Sequence, residues 1–166
     1  MIKHAGVDQV LRTFARIYIG GIPPTITDES AYLSFISILS GIEALALYAN
    51  PDGGDNSPGD RFRAFVRQYF DTPYPDLASD LWRFRNGIVH AFNPGPFALT
   101  HQHSHHHLQK GTGGQILNAE DFYAAFIFSF RRYVAALEAS DDLQNRLLRV
   151  IDREGGVANI GMGQAY

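Results

Sequence analysis

Between Ala31 and Ala49 the chain carries a single charged residue, Glu43. A run this long and this apolar has two stable destinations, a bilayer or the middle of a protein core. Ser34, Ser37, Ser40, Gly41 and Glu43 interrupt it, which points to a fully buried helix of a soluble protein rather than a membrane span. A buried Glu43 would then require a partner for its charge.

The chain has 166 residues, enough to bury such a core as one domain without disulfides or metals. A hydrophobic content of 45% with 13% aromatics is that of a packed globular protein, and no low-complexity block argues for disorder. The net charge of -3 and the pI of about 6.1 exert no global pull toward nucleic acid or an anionic membrane. Any RNA contact therefore requires a local basic site. Cysteine is absent, which excludes disulfides, thiolate metal sites and cysteine nucleophiles. The N-terminal stretch, broken by His4, Asp8 and Arg12, does not read as a signal peptide. Both features lead to the expectation of a cytoplasmic protein.

Helical periodicity dominates. Val7, Val10, Leu11, Phe14, Ile17 and Tyr18 recur at three- and four-residue spacings and predict a first helix over 5–19, stopped by Gly20, Gly21, Pro23 and Pro24. Thr25 or Thr27 is placed to cap a helix over 28–49, with Asp28 and Glu29 in its first turn. Residues 50–60 are dense in turn formers and read as a surface loop. Helices are expected at about 60–70 and 75–92, the latter closed by Pro94 and Pro96. The period then changes over 97–117, where "FALTHQHSHHHL" and "GGQIL" flank "QKGTGG" and predict a small two-stranded hairpin. Asn118 is placed to cap a helix to about 139, and a last helix spans 141–153. The sum is one all-α domain over 1–154, an up-and-down bundle of five to six helices with an inserted β-hairpin, followed by a loose tail at 155–166.

The helix over 75–92 carries the chemistry. Leu77, Leu81, Phe84 and Ile88 fall in one narrow stripe, the core face. Trp82, Arg85, Asn86, Val89 and His90 spread over an arc of roughly 140° on the other side. That face mixes two large apolar residues with three hydrogen-bonding ones, so a second surface is expected against it, from this chain or from a second copy. Asn86 and His90 are neighbours one turn apart, and Arg85 is long enough to reach the same point. The trio is a candidate anion cradle; its plainer reading is a helix whose His holds a bundle together.

The segment "RNGIVH" resembles the R-polar-x-x-x-H signature of HEPN domains, and "YPDLASDLWRFRNGIVHAF" followed by "ILNAEDFYAAF" is similar to uncharacterised bacterial members of that group. The resemblance spans residues 5–150, with the six motif residues as its specific part. It implies an all-α bundle, a homodimer with a composite cleft, and metal-independent endoribonuclease activity of toxin or defence type, with no cofactor required. The alternative it implies is a non-catalytic module that binds a nucleotide, RNA or a protein partner. Carried over by position, Arg85 matches the family Arg, Asn86 the polar residue and His90 the catalytic His. The chemistry suits these types, because cleavage through the 2′-hydroxyl needs a proton acceptor near neutrality and a cation on the phosphorane. Glu43, if paired with Arg85 or His90, would orient that site from behind; a surface-turned Glu43 or a structural ion pair elsewhere are the alternatives.

The run "HQHSHHH" places His101, His103, His105 and His107 on one face if it forms a strand, a spacing that suits Zn²⁺, Ni²⁺ or Cu²⁺. The same run in an exposed hairpin collects divalent metals adventitiously. Arg131, Arg132 and the series Arg61, Arg63, Arg67 are further candidate RNA contacts or plain solvated faces. "GTGG" lacks the Lys-Ser/Thr and helix of a phosphate loop, and no Ser-His-Asp nucleophile elbow is visible.

Overall fold

The computed structural model describes residues 1–50 and 57–154, so the expected tail at 155–166 and most of the expected surface loop lie outside the described residues. The described chain is mostly helical (71%), with six helices and a small three-stranded sheet. The helices are α1 (Ala5–Phe14), α2 (Ala31–Ala49), α3 (Pro58–Tyr69), α4 (Ala78–Ala91), α5 (Ala119–Ala139) and α6 (Asp141–Glu154), and the strands are β1 (Phe97–Thr100), β2 (Lys110–Gly111) and β3 (Gly114–Asn118).

The apolar run forms the centre. α2 is long and apolar enough to cross a membrane, yet here it packs against α3, α4, α5 and α6. Phe35, Ile38, Leu39, Ile42, Leu45, Ala46 and Ala49 are buried by those neighbours. Gly41 permits the closest approach: a Cβ there would stand 2.6 Å from the Phe126 ring of α5. α2 begins at Ala31 rather than 28, because Thr27 turns back onto Ser30, hydroxyl to hydroxyl at 2.8 Å, and the backbone takes a helical course only after Ser30.

Local chemistry sets other ends. α1 continues as a π-helical turn over Ala15–Ile19, whose end is tied down by the Tyr123 hydroxyl donating to the Ile19 carbonyl. α3 starts at Ser57 with a reciprocal capping box: its hydroxyl accepts from the Asp60 N–H at 3.2 Å, and its own N–H donates to the Asp60 carboxylate at 3.2 Å. Gln144 of α6 is buried and donates to the Leu137 carbonyl at 2.9 Å while accepting from the Lys3 N–H at 2.9 Å. That side chain fastens the N-terminal segment to the α5–α6 corner.

The insertion differs from a two-stranded hairpin. β2 and β3 form the expected antiparallel hairpin around Thr112 and Gly113, but β1 lies parallel to β3 on its other edge, with Phe97 opposite Gln115 and Thr100 opposite Asn118. The histidine run is not a strand. Its backbone turns at Gln102 (φ 58) and Leu108 (φ 62) and passes through a 3₁₀ turn at Ser104–His106. The N–H groups of Gln102 and His103 are captured by the Glu120 carboxylate at 3.0 Å and the Asn118 side-chain carbonyl at 3.1 Å, which ends strand pairing after Thr100.

Candidate functional site

α4 is fixed first by its core face. Leu81, Phe84 and Ile88 are buried, while Leu77 falls in the preceding 3₁₀ turn and is half-buried. Trp82 is covered by this chain itself: its ring lies 5.4 Å from that of Phe62, and a Cβ on Gly59 would stand 2.7 Å from the indole nitrogen. The second surface expected against the polar face of α4 is therefore α3 at Trp82.

Arg85 turns inward to α2. Its Nε and Nη2 reach the same oxygen of Glu43, Oε2, at 2.7 and 2.6 Å, with the two side chains 22% and 31% exposed. The guanidinium carbon stands 5.7 Å from the centre of the Trp82 ring, and Nη1 donates to the Asn86 side-chain oxygen at 3.3 Å. Arg85 is thus the partner of Glu43, and Asn86 is oriented with its amide NH₂ turned away from the pair. A guanidinium has five N–H donors; this arrangement commits three of them.

His90 stands apart from that group. It is exposed on the last turn of α4 and forms no hydrogen bond or ion pair among the described residues. Five residues of α-helix separate it from Arg85 by about 7.5 Å of rise and roughly 140° of rotation. Arg85, Asn86 and Glu43 are brought together; His90 shares a face with Asn86 alone.

The end of α4 is shaped by Gly87. The Asn93 N–H donates back to the Gly87 carbonyl at 3.0 Å, and a Cβ on Gly87 would stand 2.3 Å from the Asn93 carbonyl oxygen. This return places Phe92 in the left-handed region at φ 53, a conformation that is uncommon for a bulky residue and recurs at functional sites. Its ring lies 4.3 Å from that of Tyr32 on α2, so α2 and α4 run antiparallel with Tyr32 beside Phe92 and Glu43 beside Arg85. Phe92 is 76% exposed, and Val89 (48%) and Leu33 (54%) are exposed on the same two helix ends.

A cavity of about 310 Å³ opens beside Glu43, lined by Ser40, Ala44 and Leu47 of α2, Pro58 and Arg61 of α3, and Tyr18 of the π-helical turn. Neither the cavity nor Tyr18 and Ser40 was visible as a site in the sequence. The i, i+4, i+7 series Ser40, Ala44, Leu47 puts these three lining residues on one helix face, with small side chains at its first two positions.

The four histidines expected on one strand face are separated by the path of the loop, which turns instead of running as a strand. His101 Nε2 pairs with Asp28 at 2.8 Å. His107 Nδ1 accepts the Asn118 backbone N–H at 3.1 Å, so Nε2 carries the ring proton toward the Tyr74 hydroxyl at 2.8 Å. Burial lowers the pKa of His107 and raises that of Tyr74 well above the usual phenol range. Only His103 and His105 remain together, exposed beside His106, and among the described residues no three His, Asp or Glu side chains are arranged to hold a metal. The strand that would have aligned the four imidazoles is absent, and with it the ligand face.

Asn118 occupies the position before α5, as expected, but its carboxamide does not cap the helix. It is buried and serves the loop: Nδ2 donates to Asp121 at 2.6 Å, while Oδ1 accepts from the His103 N–H. Of the other basic candidates, Arg132 pairs with Asp71 and Arg63 with Asp60 at 2.6 Å, Arg67 and Arg131 are exposed, and Arg61 lines the cavity. "GTGG" forms the β2–β3 turn.

Compared with known families, curated proteins and solved structures, the chain matches no family model, no curated protein and no solved structure.

Proposed function

We propose that the protein is a metal-independent endoribonuclease of HEPN type that acts as a homodimer, with Arg85 and His90 as its catalytic pair. The observation that carries this reading is the division of labour along α4: Arg85 is fixed by Glu43 and Asn86, while His90 is uncommitted at the solvent end of the same helix. A fixed cation and a free imidazole are the two groups that cleavage through the 2′-hydroxyl needs.

Two N–H donors of Arg85 remain for the non-bridging oxygens of a phosphodiester. His90 takes the proton of the 2′-hydroxyl as that oxygen attacks phosphorus; the bond from phosphorus to the 5′-oxygen breaks, and the 5′-oxygen leaves with a proton. The products are a 2′,3′-cyclic phosphate and a 5′-hydroxyl. Asn86, one turn below His90, is placed to donate its free amide N–H to the imidazole or to a phosphate oxygen.

Within one chain Arg85 and His90 diverge around the helix. A second copy supports the site by bringing its own motif helix across, so that one His90 serves as base and the other as acid. The exposed Val89 and Phe92 stand next to His90 in the chain, and the exposed Leu33 lies on the neighbouring end of α2; these residues would supply the apolar contact such a dimer requires.

The ion pair between Arg85 and Glu43 is equally suited to a second reading, a non-catalytic module that binds RNA, a nucleotide or a protein partner through the same face. A chelator-treated sample and a 2′-deoxy substrate separate the two. The enzyme cleaves RNA in chelator and leaves the 2′-deoxy strand intact; the binding module saturates with ligand and turns nothing over.

A further inference from the structure

We infer that Trp82 is a positioning residue for Arg85: its indole sets the plane of the guanidinium and with it the direction of the donors left for a phosphate, an inference that rests on a phosphodiester being the ligand of α4. The need for such a residue follows from the ion pair. Arg85 Nε and Nη2 both end on Glu43 Oε2, at 2.7 and 2.6 Å. A fork that meets two oxygens is held at two points, whereas one that meets a single oxygen can pivot about it. The bond from Nη1 to Asn86, at 3.3 Å, is longer than an ordinary N–H···O bond and makes a weak second tether.

Trp82 supplies the missing constraint. The guanidinium carbon stands 5.7 Å from the centre of its ring, inside the reach of about 6 Å over which a cation is drawn to an aromatic face. The two residues are three apart on α4 and therefore neighbours on one side of the helix. The indole is itself seated on α3. Its ring lies 5.4 Å from that of the buried Phe62. Gly59 makes the room: a Cβ there would stand 2.7 Å from the indole nitrogen and 2.8 Å from the adjoining ring carbon. Placement thus passes from α3 to Trp82 and from Trp82 to Arg85.

The direction of the plane matters because of what remains on it. Nε, one N–H of Nη2 and one of Nη1 are committed, so one N–H is left on each terminal nitrogen. Two donors on adjacent nitrogens match the two non-bridging oxygens of a phosphodiester, and they do so only when guanidinium and phosphate are correctly aligned. An Arg85 that pivots on Glu43 Oε2 keeps its charge and loses that alignment. Such a loss is felt in the reaction more than in the fold, since small misplacements of a charge-stabilising group cost rate.

The test joins a spectrum of the full chain to a binding measurement. In low-temperature ¹H–¹⁵N spectra of the wild type, the Arg85 side-chain signals, assigned by their absence in Arg85→Lys, are expected to be ring-current shifted with the Nη protons resolved. In Trp82→Leu they are expected to average, and in Trp82→Phe, which keeps an aromatic face, to stay resolved. A labelled 2′-deoxy oligonucleotide, which cannot be cleaved through a 2′-hydroxyl, is expected to bind about fivefold or more weakly to Trp82→Leu than to Trp82→Phe by fluorescence anisotropy. Trp82→Met, long and apolar without a ring, replaces Trp82→Leu if that variant fails to fold by circular dichroism. Nη signals already averaged in the wild type, a folded Leu or Met variant with the signals and affinity of the wild type, or a Phe variant as impaired as either, overturns the inference. Its failure is separable from that of the ribonuclease reading: resolved, Trp82-dependent Arg85 signals without oligonucleotide binding or RNA cleavage keep the placement of Arg85 and remove the nucleic acid, and cleavage indifferent to the residue at 82 does the reverse.

Discussion

Arg85 and Glu43 meet at one oxygen: both guanidinium donors, Nε and Nη2, end on Oε2, at 2.7 and 2.6 Å. The pair joins the motif helix to the one charge of the central helix, and its partial burial places it between an exposed ion pair and a desolvated one. Charge-assisted hydrogen bonds of this kind contribute more than exposed pairs do, so a double-mutant cycle of Arg85→Ala and Glu43→Ala is expected to give a coupling of about 1–2 kcal/mol. Urea unfolding of the four proteins measures it. A coupling below about 0.3 kcal/mol would show that the pair contributes nothing beyond a surface contact.

His107 makes stability depend on pH. In the fold its imidazole is neutral, accepting from the Asn118 N–H and donating to Tyr74, and burial lowers its pKa from the ordinary 6.5. The unfolded chain therefore takes up the proton first as pH falls. Stability is complete above about 6.5 and declines as pH drops from there through the folded-state value. The urea midpoint is expected to fall between about pH 7.5 and 5.5, and to fall less in His107→Gln. The same decline in that variant would assign the effect to other groups.

Gly87 and Phe92 separate folding from function. Gly87→Ala drives a Cβ to 2.3 Å from the Asn93 carbonyl oxygen and is expected to cost about 1–3 kcal/mol by denaturant unfolding. An unchanged midpoint would show that the chain leaves α4 by another path.

Phe92→Gly relieves a left-handed bulky residue worth about 1–2 kcal/mol while adding chain entropy to the unfolded state, so fold stability is expected to stay within about 1 kcal/mol. Its exposed ring is lost from the proposed dimer contact, and dimerisation, followed by analytical ultracentrifugation, is expected to weaken by about tenfold or more. A variant that dimerises as well as the wild type would remove this patch from the interface.

The helices were legible because their apolar spacings are local: Val7 to Phe14, Phe62 to Val66 and Leu81 to Ile88 each repeat within one or two turns. Glu43 was legible as a charge that needs a partner if buried, and Arg85 as one of two candidates. The insertion was less so. The period-two histidines suggested a strand, but the strand is ended by Asn118 and Glu120, which lie 15 to 18 residues further along the chain and act on the loop backbone through their side chains. Parallel pairing of β1 with β3 is likewise non-local and has no turn signature. α3 starts ahead of its first apolar residue because Ser57 and Asp60 close a capping box within a segment that reads as pure turn. The cavity depends on two separate helices, α2 and α3, and on a π-helical turn that presents Tyr18, a geometry no spacing in the sequence encodes.

On the proposed function, His90, the uncommitted imidazole at the end of α4, performs proton transfer on RNA. The direct measurement is cleavage of mixed single-stranded and transfer RNA, in chelator, by wild type and His90→Ala at matched concentration and matched folded content. Cleavage by the wild type alone, with 2′,3′-cyclic phosphate ends and a loss of at least about a hundredfold in the variant, is the predicted result. Equal cleavage by both proteins, or none by either when both are folded and dimeric, would contradict it.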